Sequence, residues 1–305
     1  MFRSRLLQVA GILLLAAAPL AAQVRGAENI RVVDTTQIQV VRLADASVLV
    51  GRFTAVDADP LTFRTAGGDV AIKRASLRQV RQGPASKLRN GQLWNDDPDP
   101  TRLFFGPTAR TLPKGEGDFS DTYLFLLSAN YGVGGRAQIG AGFSVLPTEN
   151  FSDNLFFVTG KVGIAASPNA QFAVGGLIGH VGGFADEVGG ASLGAIYGVG
   201  TFGSVDNAVT VGVATPVGSG VDTKPVLLLG GEARIGRRVK LITENYVTWS
   251  HPYDYLNGRT TRVEAVFGYG LRIFGDKIAA NLGFLNSTEG GIFPGIPYLD
   301  FVVRF

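Results

Sequence analysis

The charged residues in the C-terminal two thirds of the sequence are spaced for one kind of chemistry. Arg102, Arg110, Lys161, Glu232, Arg234, Lys240, Glu244, Arg262, Glu264 and Arg272 sit in short apolar segments, at positions that alternate with bulky aliphatic and aromatic residues. Asp300 and Arg304 do the same close to the last residue. In an extended chain successive side chains point to opposite faces, so these charges share one face and the apolar residues the other. A mixed ring of acids and bases inside a closed wall could line a water-filled pore and set a weak ion preference. The same residues, Glu232, Lys240, Glu244 and Arg262 among them, could instead pair across strands and fill the enclosed space. Breaking one buried pair of that kind costs ~3–5 kcal/mol.

Catalytic and metal chemistry have few candidates. The chain has no cysteine, and its histidines are His180 and His251. Cysteine nucleophiles and zinc–thiolate sites are therefore excluded, and a multi-histidine metal site lacks ligands. No H-E-x-x-H stretch occurs. His180 is followed by Val181 and Gly182, with no serine two positions on, while His251 lies in a predicted loop near Asp254. His251, Asp254, Asp186 and Glu187 could meet at a loop rim as a hydrolase, although such groups on loops are more commonly just solvated. The expectation is a protein with no catalytic residues, no metal and no cofactor.

The elements that must position the charges are strands. Glycine accounts for 42 of 305 residues, aromatics are common, and short alternating segments are separated by turn residues, which points to all-β architecture. Twelve strands are expected at 102–111, 119–132, 137–146, 153–166, 171–183, 189–203, 208–217, 223–235, 238–249, 260–273, 277–287 and 293–305. Their lengths suit tilted membrane-spanning strands, which need ~9–11 residues. Short connections such as Ser204–Asn207 and Phe274–Asp276 alternate with longer ones such as Pro147–Ser152 and Ser250–Arg259. Short turns at one end and long loops at the other is the pattern of an antiparallel transmembrane β-barrel. Asp121 is expected at its rim. Phe105, Tyr123, Tyr131, Trp249, Tyr253, Tyr255, Phe284, Phe293, Tyr298 and Phe305 are candidate interfacial aromatics. Inward glycines are expected to keep the lumen free of bulk.

The N-terminus reads as a signal peptide over residues 1–22: Arg3 and Arg5, an apolar run, then Ala21 and Ala22 before Gln23. The formal net charge is +3, and losing Arg3 and Arg5 leaves +1 (3 − 2), which argues against a polyanion binder; no nucleic-acid partner is expected. Residues 30–82 read as five short strands in a small β-module, 83–100 as a polar linker ending NDDPDP, and 101–305 as the barrel. A basic run of Lys73, Arg74, Arg78, Arg81, Lys87 and Arg89 could contact wall polymer or serve as a solvated strand face.

Two resemblances bear on these expectations. The stretch VRLADASVLVGRFTAVDADPLTFRTAGGDVAIKRASLRQV resembles an Sm-like or SH3-like barrel. The final strand IPYLDFVVRF, with Leu299, Phe301, Val303 and Phe305 on one face, resembles the C-terminal signal that the barrel-assembly machinery reads in bacterial outer-membrane β-barrel proteins, which FFGPTARTLPKGEG also resembles. That likeness implies an outer-membrane location, contact with outer-membrane lipid and the assembly machinery, and a periplasmic N-terminal module. The leading functional expectation is a passive channel for ions or small solutes. The alternatives are a non-conducting anchoring protein whose module binds periplasmic polymer or a protein partner, and a rim hydrolase.

Overall fold

The computed structural model describes residues 24–148, 151–167, 169–182, 191–218, 224–250, 253–254, 258–259, 262–290 and 293–305. The chain divides into two compact units, 1–94 and 95–305. The expected signal peptide lies outside the described residues.

The first unit contains β1 (Gln37–Leu43), β2 (Val48–Ala55), β3 (Leu61–Thr65), β4 (Gly68–Ile72) and β5 (Leu77–Pro84), in one antiparallel sheet of order β4-β3-β2-β1-β5. Period-two alternation buries Val41, Phe53, Leu61, Phe63, Ile72, Leu77 and Val80 in one cluster. The rings of Phe53 and Phe63 meet edge-on at 4.9 Å. Gln39 is fully buried among them. Its amide nitrogen donates to the carbonyls of Asn29 and Arg31, and its oxygen accepts the Phe53 N–H. Those bonds offset the desolvation of the side chain.

The second unit is a closed twelve-stranded antiparallel barrel. Its strands are β6 (Gly117–Thr122), β7 (Leu126–Gly132), β8 (Ala137–Ser144), β9 (Leu155–Ser167), β10 (Ala170–Val181), β11 (Ala191–Gly203), β12 (Asn207–Val217), β13 (Val226–Gly236), β14 (Val239–Ser250), β15 (Arg262–Phe274), β16 (Ile278–Ser287) and β17 (Ile296–Arg304). Each pairs with its neighbours in sequence, and β17 closes on β6 with a register running from Asp300↔Thr122 to Arg304↔Asp118. Phe305 and Gly117 extend the seam by exchanging backbone hydrogen bonds, each 2.9 Å. Closure pairs the backbone groups that an open sheet would leave at its edges.

The strand number matches the expectation, but the strands are not all the expected ones. Residues 102–111 are not in the wall. The segment 119–132, expected as one strand, is folded into β6 and β7 by a turn in which Tyr123 and Leu124 take positive φ, 58° and 65°. One strand is lost and one is split, so the count is preserved. Residues 95–100, expected in the polar linker, belong to the barrel unit, with Asp97 and Asp99 each 1% exposed.

The outward face of the wall is apolar: Val158, Ile178, Val209, Leu229, Leu241 and Ile273 are all exposed there. Leu299, Phe301, Val303 and Phe305 continue that face along β17. Tyr298 points inward and is buried, so it is not an interfacial aromatic.

Replacing Phe53 with alanine should cost the first unit ~3–5 kcal/mol. Hydrogen exchange on the whole chain should show faster exchange confined to β1–β5. Loss of protection in β9–β15 as well would mean that the two units do not unfold separately.

Candidate functional site

The lumen holds a segment of the same chain. Residues 95–112 enter from the end where the connections are short, fold back on themselves and leave at the same end. At the entrance Arg234 Nη1 donates to the Asn95 carbonyl at 2.8 Å and Arg304 Nη1 to the Pro98 carbonyl at 3.2 Å. The segment reverses as a hairpin: the Leu103 N–H donates to the Gly106 carbonyl at 2.9 Å and the Thr108 N–H to the Thr101 carbonyl at 3.0 Å. On the way out, Arg110 Nη2 donates to the Ser204 carbonyl at 2.7 Å, in the β11–β12 turn. The Leu112 N–H donates to Gln138 Oε1 at 3.1 Å. Pro98, Pro100, Pro107 and Pro113 lack an N–H, which keeps this stretch from joining a ladder as a central strand.

Ion pairs join hairpin to wall. Lys240 Nζ lies 2.7 Å from Asp97 and 2.9 Å from Glu232. Arg272 reaches Asp97 at 3.0 Å and Asp99 at 3.2 Å. Arg110 pairs with Glu232, and Arg102 with both Asp99 and Asp300. Four acids (Asp97, Asp99, Glu232, Asp300) thus meet four bases (Arg102, Arg110, Lys240, Arg272), and the set is neutral. Two further charges bind hairpin backbone. The Glu244 carboxylate accepts the N–H groups of Phe104 (2.7 Å), Phe105 (3.1 Å) and Gly106 (3.0 Å) at the hairpin tip, and the Tyr246 hydroxyl at 2.7 Å. The Lys161 ammonium donates to the carbonyls of Thr101 (2.9 Å) and Thr108 (3.0 Å).

The tip is apolar and fits a socket. Leu103 and Phe104 are fully buried against Leu228, Ile242 and Tyr298, with the Phe104 and Tyr298 rings 4.9 Å apart. The socket exists because the facing wall positions are glycine. A Cβ on Gly230 would overlap Leu103 Cδ1, and one on Gly283 would stand 3.1 Å from Phe104 Cζ. These inward glycines therefore admit the hairpin; they do not hold the lumen open, as the sequence suggested.

Of the expected lumen charges, Lys161, Glu232, Lys240, Glu244 and Arg272 are in the wall and bonded to the hairpin. Arg102 and Arg110 are in the lumen as hairpin residues, not wall residues. Arg234 pairs with Asp206 at 2.7 Å near the short-turn end. Arg262 is exposed and pairs with Glu289 at 2.6 Å, away from the hairpin network, and Glu264 is half-buried. Asp300 is buried behind Arg102, and Arg304 pairs with Glu116 at 2.9 Å. Phe105 is at the hairpin tip, not in an interfacial girdle. The site residues that the sequence did not flag are Asp97 and Asp99, read there as linker.

No protein-family model matches the chain, and no curated protein matches it. Among solved structures the chain is similar to OmpTdeltaL8, a loop L8 deletion mutant of OmpT, an outer membrane protein of Vibrio cholerae. The sequences are 14% identical and the TM-score is 0.33, over 88% of this chain and 97% of the other.

The hydrolase candidates divide. His251, Asp186 and Glu187 lie outside the described residues, as does the side chain of Asp254. His180, which alternation left unassigned, faces outward on β10. Its Nδ1 lies 3.2 Å from the hydroxyl of Ser192, its cross-strand partner on β11. That proximity comes from strand register, so a search for serine near His180 in sequence does not find it.

Glu244→Ala removes the acceptor from three tip N–H groups. Hydrogen bonds to a charged group are worth roughly 1.5–3 kcal/mol each. Amide exchange at Phe104, Phe105 and Gly106 should accelerate strongly while the wall strands stay protected. Unchanged exchange at the tip would show that Glu244 does not hold the hairpin.

Proposed function

We propose that this chain is an outer-membrane protein whose barrel is closed by its own hairpin, and that it anchors the N-terminal unit at the periplasmic side. The observation that carries this reading is the hairpin at 95–112. Lys161, Glu232, Lys240, Glu244, Arg272 and Asp300 of the wall each ion-pair or hydrogen-bond with a hairpin group, and the tip fills a glycine-lined socket. The apolar exterior supports placement in lipid, because a closed barrel is one of the two ways a chain can cross a bilayer with its backbone satisfied.

The alternating face ending in Phe305 fits a signal for the barrel-assembly machinery. The short-turn end, where both the hairpin and the C-terminus lie, is then periplasmic. The N-terminal unit, whose five-stranded sheet we read as a small SH3-like or Sm-like module, is the part offered to a periplasmic polymer or protein. Its basic residues, Lys73, Arg74 and Arg78 among them, are exposed, which suits an anionic partner.

The passive channel is less well supported. Charges expected to face water face the hairpin, and expelling it would break several buried ion pairs at once.

Planar-bilayer recording separates the two readings. The full chain should insert without conducting. A variant in which residues 97–111 are replaced by a glycine–serine stretch of equal length should give steady, salt-dependent steps. Steady steps from the unaltered chain would establish the passive channel and end the anchoring reading.

A further inference from the structure

The hairpin does not fill the whole lumen. Its ion pairs and socket are on β13–β17, and the inner wall of β6–β11 faces it across a cavity of about 510 Å³. That volume is within the range of sites for small organic ligands, roughly 300–1,000 Å³.

The cavity has a polarity gradient set by strand register. Near the short-turn end its wall is polar: Ser120, Ser128, Asn130, Gln138, Thr159 and Lys161. One or two inward positions further along the same strands, toward the long-loop end, it becomes apolar: Leu126 on β7, Phe157 and Leu155 on β9, Leu177 on β10. Phe105, on the hairpin tip, adds a ring that is 45% exposed. Leu177 is also 40% exposed although it points inward, so this apolar end lacks a partner among the described residues.

Behind the polar end, the buried Asp118 carboxylate accepts from the Asn130 amide at 2.8 Å. No carboxylate is among the described residues lining the cavity, and both charged ones, Arg102 and Lys161, are cations. Arg102 is balanced by Asp99 and Asp300. Lys161 makes no ion pair among the described residues: its ammonium donates to two carbonyls, with the carboxylates of Asp118 and Asp99 near enough to interact, and one of its three donors is left for another acceptor.

We infer that this cavity binds a single-chain amphiphile with a carboxylate head, seated head-first against Lys161 with its tail among Leu126, Leu155, Phe157 and Leu177. A carboxylate accepts the remaining ammonium proton in a charge-assisted hydrogen bond. The tail covers apolar surface that otherwise faces water. The inference rests on the seated hairpin, which forms one wall of the cavity.

The test is calorimetric titration of the full chain in phosphatidylcholine nanodiscs, with empty nanodiscs as blank. Octanoate should bind saturably at one site, acetate should not bind detectably, and octanol should bind about tenfold more weakly than octanoate. Lys161→Gln, which keeps donors for the two carbonyls, should weaken octanoate about tenfold and leave octanol unchanged. Leu177→Trp, remote from every hairpin hydrogen bond, should abolish octanoate binding by filling the tail region. Absence of saturable octanoate binding, equal affinity in the Lys161 variant, or insensitivity to the Leu177 variant would each overturn the inference. Bilayer recording of the same preparation keeps the two readings apart. A silent barrel that fails to bind octanoate loses only the cavity ligand, whereas a conducting barrel loses the seated hairpin and the cavity with it.

Discussion

The structure of the barrel unit depends on charge compensation between the hairpin and the wall. Each partner, taken alone, would place ionised groups in an enclosed space where they cannot be hydrated well. The Asp97 carboxylate lies between Lys240 and Arg272, and the Glu232 carboxylate between Lys240 and Arg110. Lys240 and Arg272 have no exposed surface. Desolvating such groups costs several kcal/mol per ion unless geometry and hydrogen bonds repay it. The pairs are therefore weak evidence for net stability and strong evidence for specificity. They disfavour any arrangement in which the hairpin leaves or slides, because each displacement unpairs several charges at once.

The apolar contacts place the hairpin in depth. An ion pair tolerates small shifts, but Phe104 against Gly283 and Leu103 against Gly230 do not. Glu244 then ends the hairpin by accepting three consecutive N–H groups that the tight turn leaves without carbonyl partners. The ion pairs, socket and tip lie toward β13–β17, while Lys161 of β9 holds the hairpin backbone from the other side, and the part of β6–β11 beyond Lys161 keeps an open inner face.

Most of the wall was legible in the sequence because period-two alternation is a local signal. The strands from β8 onward fall near their expected places, and so do the five strands of the first unit. The facing of Lys161, Glu232, Lys240, Glu244 and Arg272 also follows from alternation. The hairpin was not legible. Residues 102–111 alternate as a strand does; their prolines weigh against a central strand, but that the segment lies inside the wall is a property of closure, which the segment alone does not show. Asp97 and Asp99 sit in NDDPDP, whose composition is that of a solvated linker. Only their contacts with Lys240 and Arg272, some 140 to 175 positions away, make them interior. His180 and Ser192 are the same case in miniature: twelve residues apart in sequence, adjacent through register.

Covalent continuity ties the hairpin to barrel closure. Leu112, the last hairpin residue bonded to the wall, precedes Gly117 by five positions, and Gly117 opens β6, the strand on which β17 closes. Between them the Gly115 N–H donates to the Gly132 carbonyl and Glu116 pairs with Arg304 of β17. The seam therefore fixes where the hairpin returns. A segment held this close to its socket has a high effective concentration there, and its closure entropy grows only slowly with loop length. Closing the wall and seating the hairpin are thus coupled steps: until β17 meets β6, Asp300 and Tyr298 are not yet in place to receive Arg102 and Phe104. The wall, for its part, cannot close without burying Lys240, Arg272 and Glu232, which only the hairpin fully neutralises.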